Sequence, residues 1–197
     1  MPTVRPATPD DLPRVGTVLA AAFADDPVWS WMAPPSVHWA DRAAAWFSTE
    51  AAIQLRGHGE VLVDDSVRGA AIWSPPGRWK GTLRESIAIV RPSLRLFRRR
   101  TPRTLRAHVR LEAQHPAPPH WYLATLGTDP ARQGHGIGSA LVRAITDRCD
   151  ADGLPAYLES SKLQNHAFYG RHGFEVIQEM AVPGGPPNWL MWREPKR

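Results

Sequence analysis

The chain has 197 residues, of which 43% are hydrophobic and 22% charged, a balance typical of a soluble globular protein with one core. No run approaches the roughly 18 consecutive apolar residues of a membrane span, and the N-terminus lacks the apolar stretch of a signal peptide. The single cysteine, Cys149, excludes an internal disulfide framework and a multi-cysteine metal site. We therefore expect a cytoplasmic protein with no membrane partner and no metal.

Much of the net charge of +5 lies in residues 91–110, which are rich in arginine and contain no acidic residue. A solvated helix face is the favoured interpretation. A nucleic-acid patch and a positive field that attracts an anionic cofactor stay open as alternatives.

The first half of the chain alternates strand and helix patterns around an aromatic connection. In order, the predicted elements are a strand at 3–8, a helix that ends near Phe23, a Pro- and Trp-rich connection at 25–35, a helix at roughly 38–56, a strand pair at 60–65 and 67–74, and two helices within 80–112 that are separated near Thr101.

The second half contains the strongest periodic patterns. Its predicted elements are a strand at 120–128, a glycine motif and helix at 132–152, a strand at 155–161, a short helix at 165–172, and strands at 174–182 and 188–193. Ile137, Leu141, Ile145 and Cys149 recur every four residues and should form the buried stripe of the long helix. This order predicts an α+β fold with a mixed sheet.

Residues 132–141, RQGHGIGSAL, place Gly134, Gly136 and Gly138 at the start of that helix. A P-loop needs a lysine after its last glycine, and none is present. The dinucleotide fingerprint G-x-G-x-x-G does not match, because the third glycine comes one residue too early. Glu159, about 20 residues further on, does suit such a site. A purely conformational turn is a further alternative.

Residues 133–138, QGHGIG, also match the Q/R-x-x-G-x-G/A signature of the GNAT-superfamily N-acetyltransferases, which lies between a long strand and a helix as it does here. WYLATLGTDP and PAYLESSKLQNHAFYGRHGFEV resemble the cofactor half of that domain, and the chain looks closest to the puromycin N-acetyltransferases and their relatives. The resemblance is weak over 75–112. It implies one GNAT domain over 1–197, with an acceptor-side half at 1–115, an acetyl-CoA-binding half at 116–197, and about 6–7 mixed strands flanked by helices.

The resemblance implies that acetyl-CoA is held mainly by backbone groups. The pantetheine arm would pair with the strand near Leu126, where a backbone N–H would polarise the thioester carbonyl. Amides from Gly134 to Ser139 would bind the pyrophosphate, because a helix N-terminus attracts anions and glycine keeps side chains out of the way. The predicted cofactor-binding residues are Leu126, Gly127, Thr128, Gln133, Gly134, His135, Gly136, Ile137, Gly138, Ser139, Asn165 and Tyr169.

Acyl transfer to an amine requires a proton donor for the thiolate and an acceptor for the amine proton. Tyr169 matches the family tyrosine near the CoA sulfur, and a phenol with a pKa of about 10 can protonate a thiolate whose thiol has a pKa of about 8.5. Glu159 would bind the cationic amine or act as base, with a salt bridge at the rim as the alternative. His120 and Tyr122 would relay a proton through water.

The predicted acceptor site lies between the first two helices and the middle strands. Its predicted residues are Asp26 for a cation, Trp29 and Trp31 for stacking, Trp73 as a cover, and Tyr122 and Glu159. Lys162 departs from the family pattern, so puromycin specificity does not carry over.

We therefore predict acetyl transfer from acetyl-CoA to a primary amine of a small molecule, such as an antibiotic-like or aminonucleoside acceptor, by direct attack in a ternary complex. The enzyme would be a monomer or homodimer, and an antibiotic-resistance role is open. Protein or peptide N-acetylation is the first alternative. A nucleic-acid-binding protein with a vestigial CoA site is the second.

Overall fold

A computed structural model describes residues 2–33, 36–181 and 184–196. The strands are β1 (Val4–Pro6), β2 (Glu60–Asp64), β3 (Gly69–Ser74), β4 (Trp121–Thr128), β5 (Ala156–Ser160), β6 (Glu175–Ala181) and β7 (Pro187–Arg193). The helices are α1 (Leu12–Ala22), α2 (Pro27–Met32), α3 (Trp39–Arg56), α4 (Leu83–Phe97), α5 (Thr101–Gln114), α6 (Ile137–Asp152) and α7 (His166–Arg171). No helix within the described ranges is long and apolar enough to cross a membrane.

The seven strands form one sheet in the order β1-β2-β3-β4-β5-β7-β6. Only β4 and β5 run parallel, and all other neighbours are antiparallel. This confirms the predicted mixed sheet. The short helix α2 was missed inside the predicted connection at 25–35, because six residues are too few to show a helical period. Residues 34 and 35 of that connection, and Val182 of the predicted strand at 174–182, lie outside the described residues.

Apolar clusters cover both faces of the sheet. One cluster packs under α1, α3 and α4, and the other packs under α6. The predicted stripe of α6 is confirmed, since its four members are almost completely buried. Each face of the sheet is therefore fixed by its own helical layer, and the side chains of a strand divide alternately between the two layers.

Strands β4 and β5 pair only at their first residues, from Trp121 with Ala156 to Leu123 with Leu158. Beyond Leu123, β4 continues against β3 as far as Thr128, while β5 continues against β7 as far as Ser160. The two strands therefore part, and the later half of β4 has an edge that β5 does not pair with. Such an edge can bind an extended ligand through the backbone.

Gly127 lies in this part of β4. A side chain at this position would clash with α1, which packs on the sheet there. A Cβ at this position would lie 2.8 Å from the Leu19 Cδ2 atom and 2.9 Å from the Ala22 Cβ atom. Glycine therefore lets α1 approach the sheet closely, next to the point where β4 and β5 part.

Candidate active site

The glycine loop at 131–136 is exposed, has two residues in the left-handed region and leads directly into α6. Gly134 and Gly136 have φ values of 79° and 80°, and Gly136 is the cap residue before α6. Nothing lies within 4 Å of a Cβ built at Gly134. The loop from 131 to 136 is exposed, and the first N–H groups of an α-helix such as α6 have no partner within the helix. This geometry can bind a phosphate group.

Several side chains at the predicted cofactor-binding positions near this loop are buried or have a polar contact within the protein. Ile137 is a core residue, so only its backbone can contact a ligand. The Ser139 hydroxyl lies 3.1 Å from the His172 Nε2 atom, and the His135 Nδ1 atom lies 2.9 Å from the Gln133 carbonyl oxygen. The loop therefore offers mainly backbone donors to a ligand.

Asn165 precedes α7, but its side chain makes no capping hydrogen bond. The Asn165 side chain therefore does not cap α7, and the predicted contact between this amide and the cofactor remains a prediction.

Tyr169 lies on α7 and is buried against Phe168 and Phe174. Burial raises the pKa of its phenol above the usual value, and the nearby negative charge of Asp26 raises it further. The phenol is consequently protonated at neutral pH and can donate a proton.

Glu159 belongs to a polar cluster with Tyr122, Tyr157 and His115, on the sheet face that α3 covers. The Tyr122 hydroxyl donates a hydrogen bond of 2.7 Å to the Glu159 Oε2 atom, and the Tyr157 ring stacks against Tyr122. Burial raises the pKa of the Glu159 carboxyl above its usual value. Among the described residues Glu159 has no cation within salt-bridge distance, so the alternative of a rim salt bridge is not realised.

Glu50 is a second carboxylate near this cluster, since its charge acts on Tyr122, and the sequence analysis missed it. The Thr125 hydroxyl of β4, just beyond the point where β4 and β5 part, donates a 3.4 Å hydrogen bond to the Glu50 Oε2 atom. Burial raises the pKa of Glu50 to about 7. A signal was present in the sequence, because Glu50 follows Phe47 by three residues and so lies on the apolar face of α3.

His120 joins this cluster by packing edge-on against Tyr157 and by contacting His115, a second histidine that the sequence analysis also missed. The His120 Nε2 atom lies 2.9 Å from the Nε2 atom of His115, and the His120 Nδ1 atom lies 2.6 Å from the Pro118 carbonyl oxygen. The His115 ring packs edge-on against Tyr122 and Tyr157. Burial lowers the pKa of His115 to about 3, so this imidazole is neutral at pH 7.

Asp26 does not offer a free carboxylate to an acceptor. It accepts hydrogen bonds of 2.9 Å and 3.0 Å from the Val28 and Trp29 amides at the start of α2, and another from the Ser161 hydroxyl. Only 2% of its surface is exposed. The predicted cation-binding role of Asp26 is therefore corrected to a structural one, because its oxygens already have protein donors.

The three predicted acceptor tryptophans lie in different places. Trp73 is fully buried in the cluster under α6, on the sheet face opposite Glu159, so it does not close an acceptor pocket as predicted. Trp29 is half-buried, and its ring packs against those of Trp46 and Phe47. The Trp31 indole donates a hydrogen bond to the Gly184 carbonyl oxygen.

A cleft of about 290 Å³ lies between α2, the segment after β5 and the start of β7. Lys162 forms an ion pair with Asp25 at this cleft. Within the described ranges no group of three or more His, Cys, Asp or Glu side chains could hold a metal ion. The lining residues are Asp25, Pro27, Ser161, Lys162, Leu163, Gln164, Pro186, Pro187 and Trp189.

Comparisons with known proteins connect this arrangement to one family. The model of the Acetyltransferase (GNAT) family matches residues 29–174. A Schizosaccharomyces pombe protein described as an uncharacterized N-acetyltransferase is 28% identical over 94% of this chain and 81% of its own length.

Two solved structures show the same fold. A Corynebacterium glutamicum protein described as histone acetyltransferase HPA2 and related acetyltransferase is 26% identical, with a TM-score of 0.71 over 100% of this chain and 97% of that one. A Drosophila melanogaster polyamine N-acetyltransferase, described as forming N-acetylagmatine, is 13% identical, with a TM-score of 0.64 over 98% and 99% of the two chains.

Proposed function

Because the chain belongs to the Acetyltransferase (GNAT) family, we propose that it transfers the acetyl group of acetyl-CoA to a primary amine of a small molecule. Its family membership and its relatives make it an N-acetyltransferase. The acceptor class is our proposal, and the geometry around the cleft carries it.

The cleft of about 290 Å³ between α2, the segment after β5 and the start of β7 is crossed by contacts between its walls, and we call it the bridged cleft. These contacts are the observation that favours a small acceptor. Trp31 of α2 is hydrogen-bonded to Gly184 in the segment between β6 and β7. The segment between α1 and α2 is also joined to the segment after β5, through the Asp25–Lys162 ion pair and the Asp26–Ser161 hydrogen bond. An extended peptide needs an open groove, whereas these links leave room for a compact ligand.

The donor site fits an acyl-CoA. The left-handed glycines Gly134 and Gly136 keep side chains away from the backbone at the start of α6, which suits a pyrophosphate. The unpaired edge of β4 after Leu123 suits the amide groups of a pantetheine arm. When bound, acetyl-CoA supplies an activated thioester whose carbonyl would lie near the Leu126 amide.

Two carboxylates and two phenols can move the protons. Glu159 or Glu50 would take the proton of the ammonium ion, and the free amine would then attack the thioester carbon. The new C–N bond forms as the C–S bond breaks. The thiolate leaves with the electron pair of that bond and takes a proton from Tyr169, while the attacking nitrogen gives its second proton to the other carboxylate and becomes a neutral amide. Tyr122 positions Glu159 through its hydrogen bond.

Direct attack is favoured over a covalent acyl-enzyme. Cys149 is completely buried on α6, and burial raises the pKa of its thiol to about 11. A buried, protonated thiol is a poor nucleophile. A ternary complex of enzyme, donor and amine is consequently the simplest order of events.

The two alternatives explain fewer features of the molecule. The description of the Corynebacterium glutamicum relative favours a protein acceptor, which the bridged cleft opposes. The arginine-rich segment favours nucleic acid, yet two of its arginines have internal roles. Arg100 donates to the Ser30 and Trp31 carbonyl oxygens, and the Arg103 guanidinium lies over the Trp31 ring.

An acceptor screen tests the proposal. Purified protein is incubated with acetyl-CoA and, separately, with puromycin, agmatine, simple aryl amines, and a lysine-rich histone-tail peptide, and release of free CoA is measured. We expect turnover with at least one small amine and none with the peptide. Turnover restricted to the peptide would replace the small-molecule proposal with protein acetylation.

A further inference from the structure

Helix α4 carries a row of large apolar side chains that face solvent. Leu83, Ile87, Val90 and Leu94 are 49–79% exposed. Their spacing of four, three and four residues places them on one line along the helix. At 1.5 Å per residue, the row is about 16 Å long.

The row is separate from the face by which α4 packs on the protein. Leu96 and Phe97 are buried in the core, and the Trp46 indole donates a 3.0 Å hydrogen bond to the Ser93 hydroxyl. A capping box between Thr82 and Glu85 fixes the start of the helix. The apolar row is therefore held outward by a folded helix and belongs to neither of the two buried clusters.

Positive charge borders the row on one side. Arg84, Arg91 and Arg95 follow Leu83, Val90 and Leu94 by one residue each, which turns them about 100° around the helix from the row. All three are exposed, and none of them has a carboxylate partner within the described residues. No acidic residue occurs between Ser86 and Leu111.

We propose that α4 docks the enzyme on the surface of an anionic lipid bilayer. Four apolar side chains in one line enter the boundary between headgroups and acyl chains, and the arginines beside them contact lipid phosphates. This combination of an apolar row and a cationic flank is the pattern of an interfacial helix. An interfacial helix lies on the bilayer surface and needs no membrane-spanning run. The expectation of no membrane partner, which was based on the absence of such a run, therefore does not bear on this mode of binding.

Two other occupants match the surface less well. A nucleic acid offers phosphates to the arginines but leaves the apolar row in water. A second copy that covers the row with its own α4 brings two arginine-rich flanks to one interface, with no acidic side chain of α4 beyond Glu85 to balance them. A bilayer supplies both apolar contact and negative charge.

Vesicle flotation with the full chain tests the proposal. We expect the protein to float with vesicles of phosphatidylcholine containing about one-third phosphatidylglycerol, and to float far less with pure phosphatidylcholine. Raising the salt concentration should also weaken binding, because it screens the attraction between charges. The double variant Ile87→Glu/Leu94→Glu should bind the anionic vesicles at least about tenfold more weakly.

A matched variant distinguishes this surface from exposed apolar residues in general. Val176→Glu/Ile177→Glu changes two exposed apolar residues of β6 in the same way and should retain wild-type vesicle binding. Both variants are checked for an unchanged melting temperature and for an unchanged shift of that temperature by acetyl-CoA.

Three outcomes would overturn the proposal. The first is no flotation of the wild type at low salt, and the second is equal flotation of Ile87→Glu/Leu94→Glu. The third is a wild-type dimer in sedimentation that the same double variant turns into a monomer, because a second copy would then cover the row.

Discussion

The proposed donor side and the proposed acceptor side of this enzyme are built in different ways. Most of the proposed donor side is one continuous segment, from the later half of β4 through the glycine loop to the start of α6, and it offers backbone groups. The acceptor side collects side chains from distant parts of the chain, including Glu50 on α3, His115 after α5, Tyr122 on β4 and Glu159 on β5. The difference teaches that a backbone site leaves a local motif in the sequence, whereas a side-chain site does not.

The largest expected effect is on the acceptor side. Glu159→Gln removes the proton acceptor but keeps a partner for the Tyr122 hydroxyl, so kcat should fall about 100- to 1000-fold with little change in acetyl-CoA affinity. Steady-state kinetics with the best amine of the acceptor screen measures this. Glu175→Gln, at an exposed position of β6, is the control and should leave kcat unchanged. Equal kcat for Glu159→Gln and the wild type would remove Glu159 from proton transfer.

The next effect concerns Tyr169, the proposed proton donor to the leaving thiolate. Tyr169→Phe should lower kcat about 10- to 100-fold while the KM for acetyl-CoA stays within about twofold, because the hydroxyl acts only on the leaving thiolate. The ring still packs against Phe168 and Phe174, so stability should hold. A changed KM with an unchanged kcat would give Tyr169 a binding role instead.

On the donor side, one substitution separates backbone strain from ligand binding. Gly136→Ala strains a left-handed residue by about 1–2 kcal/mol and disturbs the amides at the start of α6, so the acetyl-CoA dissociation constant should rise about tenfold. Gly153→Ala, at the left-handed cap after α6, imposes similar strain far from the loop. Gly153→Ala should lower the melting temperature and leave acetyl-CoA affinity unchanged. Equal loss of affinity in both variants would mean that the loop does not bind the ligand specifically.

The smallest expected effect is that of Glu50→Gln on the way protein stability depends on pH. Because the pKa of Glu50 is raised from 4.5 to about 7, this carboxyl binds more protons in the folded protein than in the unfolded chain. Its contribution to stability is therefore complete below its unfolded pKa and is lost as the pH rises through about 7. Glu50→Gln should remove this decline, so the variant should gain in melting temperature over the wild type between about pH 5 and about pH 8.

The same substitution has a kinetic readout. If Glu50 helps to bind or deprotonate the amine, kcat/KM of the wild type rises through about pH 7, and Glu50→Gln flattens that rise. Parallel pH profiles for the two proteins would show that Glu50 acts only on stability.

The sequence predicted the fold well, and it located the glycine loop on which the proposed donor side depends, for a physical reason. The α6 stripe that includes Leu141 repeats with the helical period, and the glycine loop is a local backbone feature, so both are visible in a short window. The acceptor side was predicted in part. Glu159 and Tyr122 were named, but Trp73 and Asp26 were assigned to the pocket, whereas burial and hydrogen bonding give them structural roles. Which face a tryptophan occupies depends on strand register, which the local sequence does not reveal.

The separation between the two sides is tested most directly by acetyl-CoA titration calorimetry on two variants in parallel. For the double variant Glu50→Gln/Glu159→Gln, the account predicts a dissociation constant within about twofold of the wild type, because these side chains serve the acceptor. For Gly136→Ala, it predicts a dissociation constant about tenfold higher. The reverse result, with affinity lost in the carboxylate variant and kept in the glycine variant, would contradict it.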